Sequence, residues 1–187
     1  MLLVAGTTPA SACGFEDPTG AEAQRGALNW AFPDSLHVTS AVWRAQLEGS
    51  IARDDRPAAV RALSGFGKAV ADLTTFRNWL DAARAQQPSP GLSILLIGPM
   101  LWSRIVPTAD GLSIVTHLAG AERTDVVIVT DAPVVAAIVS GRISAQTAMQ
   151  KGLLRLYGPV DGQVIAADWL GRLQSPMVAS SLMPANE

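Results

Sequence analysis

The chain has 187 residues, with 14 Lys+Arg against 16 Asp+Glu and a formal net charge of −2. That balance holds no basic excess to neutralise phosphates, which argues against nucleic acid as a partner, and a single cysteine excludes an internal disulfide and a cysteine-cluster metal site. Apolar residues make up 49% and charged ones only 16%, the composition of a folded chain with one sizeable core rather than a disordered one. A spanning helix needs about 20 apolar residues in a row. The best candidates fail, because 92–102 is broken by Gly98 and Pro99 and 126–139 by Thr130, Asp131 and Pro133.

At the start, Met1-Leu2-Leu3-Val4-Ala5 is apolar, and Ala10-Ser11-Ala12 has the small-x-small form of an export cleavage site. Cys13 follows at once, an arrangement that resembles a bacterial lipoprotein processing site, where the cysteine becomes the lipidated N-terminus. Against it, no Lys or Arg precedes Arg25 and the apolar stretch is short. The expectation is an exported protein, periplasmic or membrane-anchored, whose membrane tether is a lipid on Cys13; the alternative is a cytoplasmic protein with an ordinary N-terminus.

Residues 21–31 are patterned as a helix that stops at Pro33-Asp34-Ser35. Ser35 can cap a second helix, whose apolar face reads as Leu36, Val42, Trp43, Leu47 and Ile51. After the charged connection Arg53-Asp54-Asp55-Arg56-Pro57, a third helical stretch runs to Gln86, loosened at Gly65 and Gly67. Its apolar face is Phe66, Val70, Leu73, Phe76 and Leu80. Gln86-Gln87-Pro88-Ser89-Pro90-Gly91 ends it.

The period then changes to that of strands: 92–97, 100–106, 112–118 and 125–130, with turns at Gly98-Pro99 and Ala109-Asp110-Gly111. Four strands in so few residues suggest an antiparallel meander. Asp131-Ala132-Pro133 opens a helix that ends at Gly141, Ser144 opens another that ends at Gly152, and 153–157 is a fifth strand. Ile165, Trp169 and Leu173 lie one turn apart on a terminal helix. The expected division is a leader and linker over 1–20, a helical N-terminal part over 21–86, an α+β domain over 87–174 and a loose tail over 175–187.

The segment Asp125-Val126-Val127-Ile128-Val129-Thr130-Asp131, followed by Gly141-Arg142-Ile143-Ser144 and on through Ala148, Gly152, Leu154, Leu156 and Gly158, resembles the sterol-carrier-protein lipid-transfer domain. The likeness lies in an acidic residue opening an apolar strand, a helix ending in Gly-basic-aliphatic-Ser/Thr, an Ala and a Gly four apart, alternating aliphatics and a further Gly. It covers about 125–173, is weaker over 92–118, and is absent before about residue 60. It implies an α+β fold with about five strands in a twisted, mainly antiparallel sheet, helices packed on one face, and the N-terminal helices as an extension. It further implies a non-enzymatic protein whose apolar tunnel holds a lipid-like ligand. Ile138, Met149, Leu154, Leu156, Ile165 and Trp169, drawn from the matching segment and the final helix, are the expected lipid-binding positions. Burying a methylene is worth about 0.8 kcal/mol, so such a ligand needs no conspicuous polar site; a filled core has the same composition.

Catalytic constellations are lacking. His37 and His117 read as lone structural histidines, Asp54 and Asp55 as solvated, and Ser64-Gly65-Phe66-Gly67-Lys68 lacks the spacing of a phosphate loop. No catalytic residue, cofactor or metal is expected. Of the five tryptophans, Trp30, Trp43 and Trp79 fall in the helical part, and core packing is favoured over a pocket wall or interface. The rival reading is a structural or accessory protein of a cell-envelope complex, which uses the scaffold and its Trp-rich helices to bind a protein partner.

Overall fold

The computed structural model describes residues 13–56, 58–84 and 90–173. The expected cleavage motif, most of the 86–91 breaker and the 175–187 tail lie outside the described residues. Among the described residues, six helices and five strands follow in the order α1 (Pro18–Ala31), α2 (Ser35–Leu47), α3 (Ala58–Ala83), β1 (Leu92–Leu96), β2 (Leu101–Thr108), β3 (Gly111–Leu118), β4 (Val126–Thr130), α4 (Ala132–Val139), α5 (Ala145–Gln150), β5 (Arg155–Tyr157) and α6 (Val160–Arg172). This is an α+β protein with one mixed sheet of order β3-β2-β1-β4-β5.

The first three strands form the expected meander, but the fourth does not extend it. β4 crosses over and pairs in parallel with β1, Leu92 opposite Val126 through Leu96 opposite Thr130. The physical reason lies in its side chains. Val126–Thr130 is apolar almost throughout and buried at every position, the character of a central strand covered on both faces. β3, by contrast, alternates in burial and keeps Val115 half exposed, as an edge strand does.

Register assigns the two faces. Leu95, Trp102, Val129 and Arg155 share a row, as do Ser93, Arg104, Val127 and Tyr157. The α1–α2 hairpin covers this face: Phe32, between the helices, packs on Trp102 and Tyr157 at centroid distances of 5.8 and 5.3 Å, and α2 lies along β4. The opposite face, with Ile94, Leu96, Ile105 and Ile128, is covered by α3 and α6, while α4 packs on α3 and α5 on α6. α3 therefore sits with the downstream helices, apart from α1 and α2.

Local signals in the resembling segment are met one by one. Asp131 caps α4, its Oδ1 accepting from Ala132 N at 2.8 Å. Gly141 takes φ +72°, Ser144 Oγ caps α5 through Thr147 N at 3.0 Å, and Gly152 turns at φ +70° into the last strand. At Gly158 a Cβ would stand 2.6 Å from the Asp125 carbonyl oxygen, so the chain passes there only without a side chain.

Three expectations in the helical part are corrected. Asp34, not Ser35, occupies the cap position of α2, and its side chain makes no cap bond; Ser35 is buried, with its Oγ 3.3 Å from Asn29 Oδ1. The buried stripe of α2 is Val38, Val42 and Ala45, while Leu36, Trp43 and Leu47 face solvent. The helix carries two apolar stripes, and close contact with β4 selects the one with smaller side chains. Core packing also fails for two tryptophans: Trp169 is fully buried and Trp79 and Trp102 partly so, but Trp43 is exposed and Trp30 is 91% exposed.

Candidate functional site

β1 and β4, the parallel pair, end together at Gly98 and Asp131, where the α1–α2 layer and the α3–α4 layer part. A cleft of about 1020 Å³ opens there. Open α/β sheets place ligand crevices at the carboxyl ends of parallel strands for this same geometric reason. Its apolar wall includes Phe15, Trp43, Ala69, Pro133 and Ala136. Five cations reach it, Arg25, Arg53, Arg56, Lys68 and Arg142, against the carboxylates of Asp54, Asp72 and Asp131. Several of these are paired: Arg53 with Asp55 at 3.0 Å, Arg56 with Asp54 at 2.7 Å, and Lys68 with Asp72. Arg25 donates to the Gly98 carbonyl. The site is thus an apolar trough with a net cationic rim.

Asp131 anchors the floor. Its Oδ1 accepts from the amides of both Ala132 and Gly98, the latter at 3.1 Å, so one carboxylate joins the end of β4, the start of α4 and the β1–β2 turn. Burial pushes this carboxyl above its ordinary range, with the two amides and the charge of Arg25 opposing.

The six expected lipid-binding residues do not line this cleft. Ile138, Leu154 and Trp169 are buried, and Met149, Leu156 and Ile165 pack partly buried against the same core. Leu156 pairs with Ile128 and so points to the face beneath α6. In that layer Trp169 Nε1 is buried with no hydrogen-bond partner, as is Ser103 Oγ on the same face of β2. The cleft residues were missed because they come from four helices and several of the connections between elements; the Pro-flanked ends 98–99 and 131–133 were legible only as local punctuation.

Cys13 sits in a tight turn against the sheet edge. It is 2% exposed, its carbonyl accepts from the amides of Glu16 and Asp17 at 2.9 Å, and its own N–H points to His117 Nε2 at 3.4 Å. Cys13, Glu16 and His117 form a group with ligand atoms all within 4.8 Å of one another. His37 is surface-exposed and faces Asp34, at 3.2 Å. Among the described residues, no helix is long and apolar enough to cross a membrane.

No protein-family description and no curated protein matches the chain. Solved structures do. The chain is similar to a ubiquinone synthesis protein described as UbiJ-SCP2, with 13% identity over 60% of this chain and 99% of that one and a TM-score of 0.40. It is similar to a conserved hypothetical protein from Thermus thermophilus, whose description offers a sterol carrier protein, with 18% identity over 57% of this chain and 81% of that one and a TM-score of 0.37. It is also similar to the inverting sec-alkylsulfatase Pisa1 from Pseudomonas sp., with 13% identity over 53% of this chain and a TM-score of 0.37; the match spans 14% of the sulfatase. Two of the three descriptions name the family that residues 125–158 resemble. At identities and TM-scores this low, nothing about function rests on these likenesses.

Proposed function

We propose that this protein binds and carries an amphipathic, lipid-like ligand without chemically altering it, with an apolar chain in the cleft and an anionic head at its rim. One observation carries the reading: a cleft of about 1020 Å³ that joins an apolar wall to a surplus of cations. Ligand sites typically occupy about 300–1,000 Å³ and combine an apolar lining with few polar groups. Ten methylenes moved from water contribute roughly 8 kcal/mol before ordering costs, and a guanidinium such as Arg142 orients an anion by paired N–H donors. The sterol-carrier-like segment supports the same class of ligand. Ile138, Met149, Leu154, Leu156, Ile165 and Trp169 do not line this cleft and belong to this proposal only as a separate apolar region in the core beneath α6. A lipid tether at Cys13 belongs to it only if the 13–17 turn leaves its place, since the thiol is buried there.

The test is direct. Lipid extracted from purified protein is identified by mass spectrometry, and binding of a fluorescent fatty acid and a fluorescent sterol is titrated. Ala136→Trp, which fills the cleft from α4, is expected to weaken the fatty acid probe at least ~10-fold with an unchanged circular dichroism spectrum, the loss of roughly two buried methylenes. Arg142→Ala is expected to weaken the fatty acid more than the sterol. Absence of any bound or titratable lipid, or an Ala136→Trp variant that binds like the parent, overturns the proposal.

A second reading rests on the outer stripe of α2. Leu36, Trp43 and Leu47 are each about 60% exposed, and Trp30 on α1 is also exposed. A shallow hollow of about 470 Å³ runs between Trp43 and Leu47. Exposed apolar and Trp-rich surface of this kind favours the accessory role in an envelope complex. Recovery of a stoichiometric partner that Trp43→Gln loses would support it.

A further inference from the structure

We propose that Cys13, Glu16 and His117 form a zinc site that fastens the N-terminal turn to the edge strand β3, independent of any lipid in the cleft. The three donors come from two places 104 residues apart. Cys13 and Glu16 share one turn, closed by the Glu16 and Asp17 amides on the Cys13 carbonyl, and the spacing of three puts both side chains on one side of it. Gly14 holds that turn down: its N–H donates to the Pro99 carbonyl at 2.6 Å, and a Cβ there would stand 2.8 Å from that of Ala21.

His117 reaches the turn through a backbone distortion. It is the extra residue of a β-bulge, where the register against β2 shifts between Trp102 and Ser103. It takes φ +67°, a left-handed conformation in a non-glycine residue. Such outliers are energetically costly and cluster where a side chain must be re-aimed. Phe66 meets the imidazole edge to face at 5.9 Å and fixes the ring plane.

The polar contacts left there do not satisfy one another. His117 Nε2 faces the Cys13 N–H at 3.4 Å and Glu16 Oε2 at 3.2 Å. One ring nitrogen cannot accept from the amide and donate to the carboxylate at once. A cation between Nε2 and Oε2 uses both lone pairs and takes the thiolate as its third ligand. Tetrahedral zinc with bonds of about 2.0–2.3 Å sets its donors roughly 3.3–3.8 Å apart. The 3.2 Å pair already has nearly that spacing, and the 4.8 Å outer limit is closed by side-chain rotation. One soft, one borderline and one hard donor together suit zinc better than calcium or magnesium, and three protein ligands leave the fourth position to water. The thiol forms the buried wall, while the side chains of Glu16 and His117 are 57% and 32% exposed, so the ion enters from solvent.

The experiment uses the full chain with Zn²⁺, and with Co²⁺ as a spectroscopic stand-in. One equivalent of zinc is expected to bind and raise the melting temperature, since a ligand that binds only the folded state stabilises it. Cobalt is expected to show a thiolate charge-transfer band, which only Cys13, the sole cysteine, can supply. Cys13→Ser is expected to abolish the band, and His117→Ala and Glu16→Gln to weaken zinc by at least ~100-fold. Glu16→Gln changes one exposed group and keeps the fold testable if His117→Ala does not. Zinc uptake that the three variants leave unchanged, cobalt binding without the thiolate band, or an intact mass showing Cys13 acylated overturns the proposal.

Discussion

Arg104→Met tests how the polar cluster at the centre of the sheet holds three strands together. The Asp125 side chain is 1% exposed. Its Oδ2 accepts from Arg104 Nε at 2.7 Å and from Ser93 Oγ at 2.6 Å, and its Oδ1 from Arg104 Nη2 at 2.9 Å. Burial acts to raise this carboxyl, but the hydrogen bonds of Arg104 and Ser93 and the arginine's charge outweigh it and hold it below the ordinary value. The same carboxylate explains Gly91, where a Cβ would fall 2.2 Å from Asp125 Oδ1. Removing one partner of a buried pair costs about 3–5 kcal/mol. The Arg104 side chain is 30% exposed, so water replaces part of its role, and the expected loss is about 2 kcal/mol. For a chain of this length that lowers the melting temperature by about 4–8 °C.

The pH dependence carries a definite sign. A carboxyl whose folded pKa is depressed contributes stability that is present above its unfolded value near ~4, and that contribution is lost as pH falls through the folded value. In the R104M protein the hydrogen bond from Ser93 remains but those of the arginine and its charge are gone, so the carboxyl titrates higher than in the parent; the deficit is largest near neutrality and shrinks as pH falls from the variant's folded value towards the parent's depressed one. Urea unfolding of both proteins near pH 7 and pH 3, with Asp125→Asn completing a double-mutant cycle, measures it. A deficit under about 0.5 kcal/mol at neutrality, or one equally large in acid, refutes the reasoning.

Asp131→Asn retains an oxygen acceptor for Gly98 and Ala132 but removes the charge. Because burial raises the native carboxyl, its contribution is fullest below about pH 4 and declines as pH rises through the folded value, so the variant gains on the parent as pH rises above about 4 in thermal melts. A constant difference across that range tells against a raised pKa. Trp169→Ala is expected to cost about 3–5 kcal/mol in chemical denaturation, with Trp169→Phe much milder because it removes the unpartnered indole N–H. Trp30→Gln, at a side chain that meets mostly water, should stay within about 0.5 kcal/mol of the parent; equal losses at both positions would contradict the two-layer packing. The Ala136→Trp and zinc titrations test the cleft and the Cys13 site separately, since neither variant set touches the other's residues.

What could be read along the chain was local punctuation. Asp131 with Pro133, Gly141, Ser144, Gly152 and Gly158 each act within a few residues, through a cap, a left-handed turn or a close backbone approach, so their spacing alone determined α4, α5, β5 and the start of α6. Hydrophobic periodicity likewise placed Leu73, Phe76 and Leu80 inward on α3. Long-range choices were not legible, because they depend on which surface arrives opposite. The partner of β4 was settled by burial on both faces, and the inward stripe of α2 by the room left above β4. The fates of Trp30 and Trp43 followed from that choice. The cleft at Gly98 and Asp131, and the meeting of Cys13 with His117, exist only because a parallel crossover and a β-bulge bring together residues that no spacing connects.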